Sequence, residues 1–292
     1  MKKNLRLSRR EHSQNITIIL FWILFFVCAI LNIFPIVWAL MNSMKVGTEF
    51  FDAESTLTLP KSFNLTNYIN VFKDFKYQDW GYLDMLGNSI WMLAVRVFVN
   101  VLSSTLLAYA LAKFRFPGDK FLYAVVIFAN TIPIIGAGPA SFRLMSGLGM
   151  VNNPFLIWIA WAAGFDFAFL VLYGAFKGVS EAYSESARID GANEFIVLFR
   201  IVLPQVIPVI VAIAITQSIS VWNDYGTVMI YLRQYPNLAY GLYVFNDAAN
   251  FVENSKPVFF AAAIITCLPV IILYACTQKL ILTNMTTGGL KG

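Results

Sequence analysis

Carboxylates, a guanidinium and a turn glycine are gathered in one short hydrophilic island of an otherwise apolar chain, running from Glu181 to Gly191 with the sequence E-A-Y-S-E-S-A-R-I-D-G. Glu181 and Glu185 are four residues apart and share one helix face, and Arg188 follows three residues later, within reach of Glu185. Ser180 is a good N-cap, and Glu181 in the first turn favours the positive end of the helix dipole. Ala182, Ser186 and Ala187 are small, so such a helix can lie close against another surface. Asp190-Gly191 is a turn signal that ends the helix, and a second amphipathic stretch, 193–202, leads to Pro204 and Pro208. The chemistry available here is recognition. The pattern leaves two readings open: a docking surface by which a partner moves the rest of the chain, or a solvated interfacial helix.

A second set of polar residues lies inside apolar runs: Arg96, Asn100, Asp166, Gln217, Asn223 and Asp224. Such groups are costly in lipid and are expected to face a bundle interior or a pathway. Trp222-Asn223-Asp224-Tyr225 sets aromatic rings beside an amide and a carboxylate, a combination that suits the apolar faces and hydroxyls of sugars. The alternative is that the tryptophans form an interfacial belt. Arg96 is expected to be structural, either paired with Asp166 or reaching for the interface. Enzyme chemistry has little to work with. The single histidine, His12, lies in a polar tail, and Cys28, Cys267 and Cys276 sit in apolar runs without metal or disulfide spacing. No G-x-x-x-x-G-K-[ST] loop or G-x-S-x-G turn occurs. No catalytic residue and no metal ligand is therefore predicted.

The elements that must position these residues are membrane spans. The 292-residue chain is 59% hydrophobic and only 13% charged, with mean hydropathy +0.67, against roughly 45–50% apolar and about 25% charged in soluble domains. Six stretches are long and apolar enough to cross a bilayer: 16–41, 88–112, 121–135, 154–176, 205–230 and 257–282. Pro133, Gly136, Gly138 and Pro139 predict a break near the end of the third. The first lacks a small-residue cleavage site and reads as a retained anchor. Lys and Arg cluster in the N-terminal tail (Lys2, Lys3, Arg6, Arg9, Arg10), after the second span (Lys113, Arg115, Lys120), around the island (Lys177, Arg188, Arg200) and near the C-terminus (Lys279, Lys291). They are sparser in the intervening, longer loops 43–87 and 231–256, so both termini and the island are expected in the cytoplasm. The same distribution explains the net charge of +5 without nucleic acid. The expected organisation is an all-α polytopic protein: a tail (1–15), a six-span domain (16–282) carrying the island (177–204), and a C-terminal tail (283–292).

From Glu185 the island reads E-S-A-x3-G-x9-I-x-L-P, ending at Pro204. This resembles the EAA loop of permease subunits of binding-protein-dependent ABC importers, with Ser186 where the family usually has a second alanine. Tyr109-Ala110-Leu111-Ala112 followed by Arg115-Phe116-Pro117-Gly118, the Trp222-Asn223-Asp224 run and the Gly288-Gly289-Leu290-Lys291-Gly292 ending are similar to segments of carbohydrate permeases of the MalG type. The resemblance covers roughly 88–292 and implies a MetI-like permease fold of six helices in the bacterial or archaeal inner membrane. It implies ATPase coupling through Glu181, Glu185, Ala187, Arg188, Asp190, Gly191, Gly288 and Gly289, and a sugar path past Trp222, Asn223, Asp224 and Tyr225. The implied partners are a second homologous permease, two cytoplasmic ATPase subunits and an extracytoplasmic sugar-binding protein. The chain itself would bind no cofactor, ATP and Mg being handled by the ATPase subunits. Two other classes stay in view. A secondary transporter driven by an ion gradient would leave the island idle, and a lipid-linked sugar transferase would cluster carboxylates at the membrane edge.

Overall fold

The computed structural model describes residues 2–51, 55, 57–132, 136–249 and 255–287, with only the backbone path described for 2–16, 51 and 279–287. Apart from one two-residue hairpin, its regular structure is helical: α1 (Lys2–Ser43), α2 (Gly47–Phe51), α3 (Thr66–Asp74), β1 (Lys76–Tyr77), β2 (Trp80–Gly81), α4 (Tyr82–Lys113), α5 (Asp119–Thr131), α6 (Gly138–Gly147), α7 (Ile157–Trp161), α8 (Phe167–Gly178), α9 (Glu181–Ile189), α10 (Glu194–Ile196), a π-helical turn (Val197–Val202), α11 (Leu203–Trp222), α12 (Tyr225–Tyr231), α13 (Leu238–Ala248) and α14 (Ser255–Thr287). The 43–87 and 231–256 loops thus hold short elements that hydropathy alone did not predict.

Among the described residues, four helical stretches have the length and apolarity to cross a membrane: Thr17–Ser43, Tyr82–Lys113, Glu194–Trp222 and Ser255–Gln278. They coincide with the first, second, fifth and sixth predicted spans. The first is apolar all round and open to the surroundings, with Trp22 73% exposed. Only lipid or another chain can cover such a surface.

The other two predicted spans do not form single long helices. The third, predicted over 121–135, holds only the 13-residue α5 (Asp119–Thr131), with α6 starting beyond it at Gly138; residues 133–135 lie outside the described set. The fourth, predicted as one run over 154–176, is instead divided into α7 and α8. Gly164 adopts φ +63° there, and a Cβ at this position would fall 2.6 Å from Leu107 Cδ1. Asp166 then starts α8 by accepting from the Phe169 amide at 3.2 Å. The fifth, predicted to run to Ile230, ends at Trp222. Asp224 starts a new helix by accepting from the Thr227 amide at 2.9 Å. In both places a carboxylate cap and its tertiary partners outweigh the apolar composition that suggested continuity.

The chain forms two compact units. One comprises 1–75 and 246–265. In it, Asn67 Nδ2 donates to the carbonyls of Ser43 and Lys45, both at 2.8 Å, closing the end of α1. Lys45 is fully buried and donates to the Ser55 carbonyl at 2.6 Å. Trp38 meets Phe260 edge-on at 5.1 Å between ring centroids. The other unit comprises 76–245 and 266–292. Here α4 packs against α8 and α11, and an apolar core runs from Ala108, Tyr109 and Leu111 through Phe169, Leu172 and Phe176 to Val197, Val202 and Val206. All the residues of the candidate site described below belong to this second unit.

Candidate functional site

The island folds as a helix, a turn and a second helix that continues into a span. Ser180 Oγ accepts from the Ala182 amide at 3.4 Å. The turn closes through Gly191 N–H to Arg188 O at 3.1 Å and Ala192 N–H to Ala187 O at 2.9 Å, with Gly191 at φ +84°. Asn193 Oδ1 then accepts from the Ile196 amide at 2.9 Å, capping the next helix. Pro204 lacks an N–H to continue an α-helical ladder, and the π-helical turn ends two residues before it, at Val202.

Ser184 and Ala187, three residues apart, turn inward, and Ala187 joins the apolar core. Tyr183, Ile189, Phe195 and Phe199 project outward, Ile189 being 86% exposed. An outward apolar patch on so polar a segment is unexpected for a merely solvated helix. The carboxylates divide into two groups. Glu181 accepts from Lys113 at 3.1 Å, and Glu194 forms a two-pronged pair with Arg188 at 2.8 and 3.2 Å. Glu185 and Asp190 have no side-chain partner among the described residues. Arg188 is therefore not the partner of Glu185 that the i,i+3 spacing predicts. The turn brings Glu194 to the guanidinium in a geometry that satisfies two donors at once. The Arg188 guanidinium holds the Glu194 carboxyl below its ordinary value by hydrogen bonding, and Glu194 in turn raises Arg188.

The intramembrane polar residues converge on α4. Asn100 Nδ2 donates to Asp166 Oδ2 at 3.0 Å, Ser104 Oγ to Asp166 Oδ1 at 3.2 Å, and Gln217 Nε2 to Asn100 Oδ1 at 2.6 Å. One turn away, Arg96 pairs with Asp224 at 2.5 Å and lies 5.8 Å from the centroid of the Trp161 ring. The expected pairing of Arg96 with Asp166 is thus replaced by one with Asp224, while Asp166 is satisfied by neutral donors. Between these groups lies a cavity of about 320 Å³ lined by Arg96, Asn100, Trp161, Phe165, Asp166, Gln217 and Ser220, among others. Asn100 is thirteen residues before Lys113 on α4, roughly 20 Å along the axis and so well inside a core about 30 Å thick.

The Trp222–Tyr225 run is placed beside this cavity rather than in its lining. Trp222 is buried and donates its indole N–H to Thr266 O at 3.1 Å. Asn223 is exposed and donates back to Ile219 O at 2.8 Å. Asp224 caps α12, and Tyr225 stacks on Tyr243 with centroids 4.9 Å apart. Gly288 and Gly289 lie outside the described residues. Sequence reasoning missed Lys113, Gly164 and Trp161. A signal for Gly164 was present: Gly164-Phe165-Asp166 joins a helix breaker to a good N-cap.

Residues 100–286 match the family described as the binding-protein-dependent transport system inner membrane component. The chain belongs to this family. Among its relatives is the permease protein of the arabinooligosaccharides transport system of Halalkalibacterium halodurans, 30% identical over 282 residues that cover 94% of this chain and 98% of that protein. The maltodextrin transport system permease protein of Streptococcus pneumoniae is 28% identical over the full length of both chains. The fold is similar to a chain of a bacterial ABC transporter involved in import of the acidic polysaccharide alginate, with TM-score 0.77, 26% identity and coverage of 91% and 97%. The protein is therefore an ABC importer permease with the MetI-like fold, and the island, the Trp222–Tyr225 run and the polar cavity except for Arg96 lie within its family-matched segment.

Proposed function

We propose that this permease forms the translocation path of an ATP-driven importer of sugars or oligosaccharides. One observation carries the reading: the island is seated on the bundle by Ser184 and Ala187 while Glu185, Ile189 and Phe195 face outward as a ready contact surface. Two cytoplasmic ATPase subunits would grip that surface, aided by Gly288 and Gly289, and a second homologous permease would complete the path. An extracytoplasmic binding protein would deliver the substrate. This chain is a non-catalytic subunit that binds no cofactor, and both its termini face the cytoplasm.

The carbohydrate assignment is supported by the named substrates of the relatives and by the cavity's chemistry. Amide and carboxylate groups beside the Trp161 ring suit a ligand with both hydroxyls and apolar faces. Asn223 and Tyr225 extend the same chemistry at the break between α11 and α12. Reconstitution with the cognate partners and labelled arabino- or malto-oligosaccharides tests this. ATP-dependent, binding-protein-dependent uptake is expected, and uptake driven by an ion gradient without ATP would contradict it. Asn100→Ala and Gln217→Ala are expected to change substrate preference or lower uptake while the complex still assembles. Wild-type transport by both would remove the cavity from the path.

A further inference from the structure

We propose that Lys113 is the positioning residue that latches the docking island to the helices around the polar cavity. This rests on the importer reading and adds to it the route by which motion at the island reaches the path. Lys113 ends α4, and its side chain is only 3% exposed. Its ammonium donates to the Val179 carbonyl at 2.7 Å and to Glu181 Oε1 at 3.1 Å. Val179 is the C-cap of α8, and Glu181 is the first residue of α9. A single cation thus joins the end of α4, the end of α8 and the start of α9. It lies where carbonyls at helix C-termini lack partners and where the helix dipole favours positive charge.

The other end of α8 is fastened to the same helix. Asn100 and Ser104 of α4 hold Asp166, the N-cap of α8. Hence α8 is tied to α4 at both its termini, and both ties reach residues that border the cavity or the island. A pull on α9 is delivered through Lys113 to the α4–α8 pair, on which Asp166 caps the far end of α8 and Asn100 and, one turn further, Arg96 stand midway along α4. Glu181 consequently works inside the subunit, in contrast to the outward Glu185, which has no side-chain partner among the described residues.

The test uses the whole transporter, with its partner permease, ATPase subunits and binding protein, in proteoliposomes. ATP hydrolysed per oligosaccharide taken up is measured for the wild type, Lys113→Gln, Lys113→Arg and Glu181→Gln. Lys113→Gln is expected to keep its ATPase subunits but raise that ratio roughly fivefold or more, the scale of a typical coupling between sites. Lys113→Arg, which keeps a cationic donor for the Val179 carbonyl and Glu181, should return it towards the wild-type value. An unchanged ratio in Lys113→Gln, or equal impairment in Lys113→Gln and Lys113→Arg, would overturn the latch. Should Lys113→Gln not insert, Glu181→Gln decides: a raised ratio with the ATPase subunits retained supports the latch, and an unchanged ratio or their loss overturns it. A wild-type complex that hydrolyses ATP without moving any oligosaccharide would overturn the importer reading, and the latch with it, before any substitution is compared.

Discussion

Gly191 and the Arg188–Glu194 pair determine the shape of the island at the residue scale. The space beside Gly191 is empty, so a Cβ there meets no atom within 4 Å, and the obstacle to substitution is the backbone at φ +84°. Gly191→Val should therefore cost about 1–2 kcal/mol locally, shown by faster amide exchange at Gly191 and Ala192 positions in an otherwise folded protein. The ion pair gives a pH prediction with a definite sign. Glu194 is lowered in the folded state, so its contribution is complete above the ordinary carboxylate value of about 4.3 and is lost as pH falls through the lower folded value. After correction for intrinsic exchange, protection of the turn should be flat from pH 8 to about pH 5 and drop only in stronger acid. Glu194→Gln should remove that acid-dependent drop by removing the clasp at every pH. A profile that changes near neutrality would assign the turn's stability to another group.

Among the elements, the broken spans separate what composition reveals from what packing decides. Long apolar runs located four of the helices, because length and apolarity are properties of the segment alone. The breaks at Asp166 and Asp224 were not predicted, since the same runs stay apolar across them and their partners lie far away on α4. The polar residues themselves were legible as a group facing the interior. Which of them pair was not: Arg96 has two acidic candidates in other spans, and only the packed helices select Asp224. Removing the Asp166 carboxylate should cost the helix cap and leave Asn100 and Ser104 with unsatisfied donors, about 1–3 kcal/mol in all. Asp166→Ala is expected to lower the melting temperature of the purified protein, and Asp166→Asn, which keeps an acceptor, to lower it less. Equal losses would show that charge, not capping, holds the break.

For the whole molecule, orientation and coupling are the remaining issues, and they meet at the island. Hydrophilic spacing located this surface and its turn glycine directly. The outward apolar residues and the buried Ala187 emerged only with the fold, because a helical repeat does not say which side has a core behind it. Burial also decides how topology can be probed. Ser184 is only 1% exposed, so a cysteine there would be shielded, whereas Ile189 and Ser62 are open. Cysteines at Ile189 should label only from the cytoplasm and those at Ser62 only from outside. Labelling of Ile189 from outside would invert the proposed orientation. The central claim, that this surface transmits ATP-driven work, is tested most directly by uptake of the cognate oligosaccharide together with recovery of the ATPase subunit on membranes carrying Glu185→Lys or Gly191→Pro. The account predicts that both variants insert, lose uptake and retain less ATPase subunit than the wild type. Wild-type uptake with full ATPase recovery in both would contradict it.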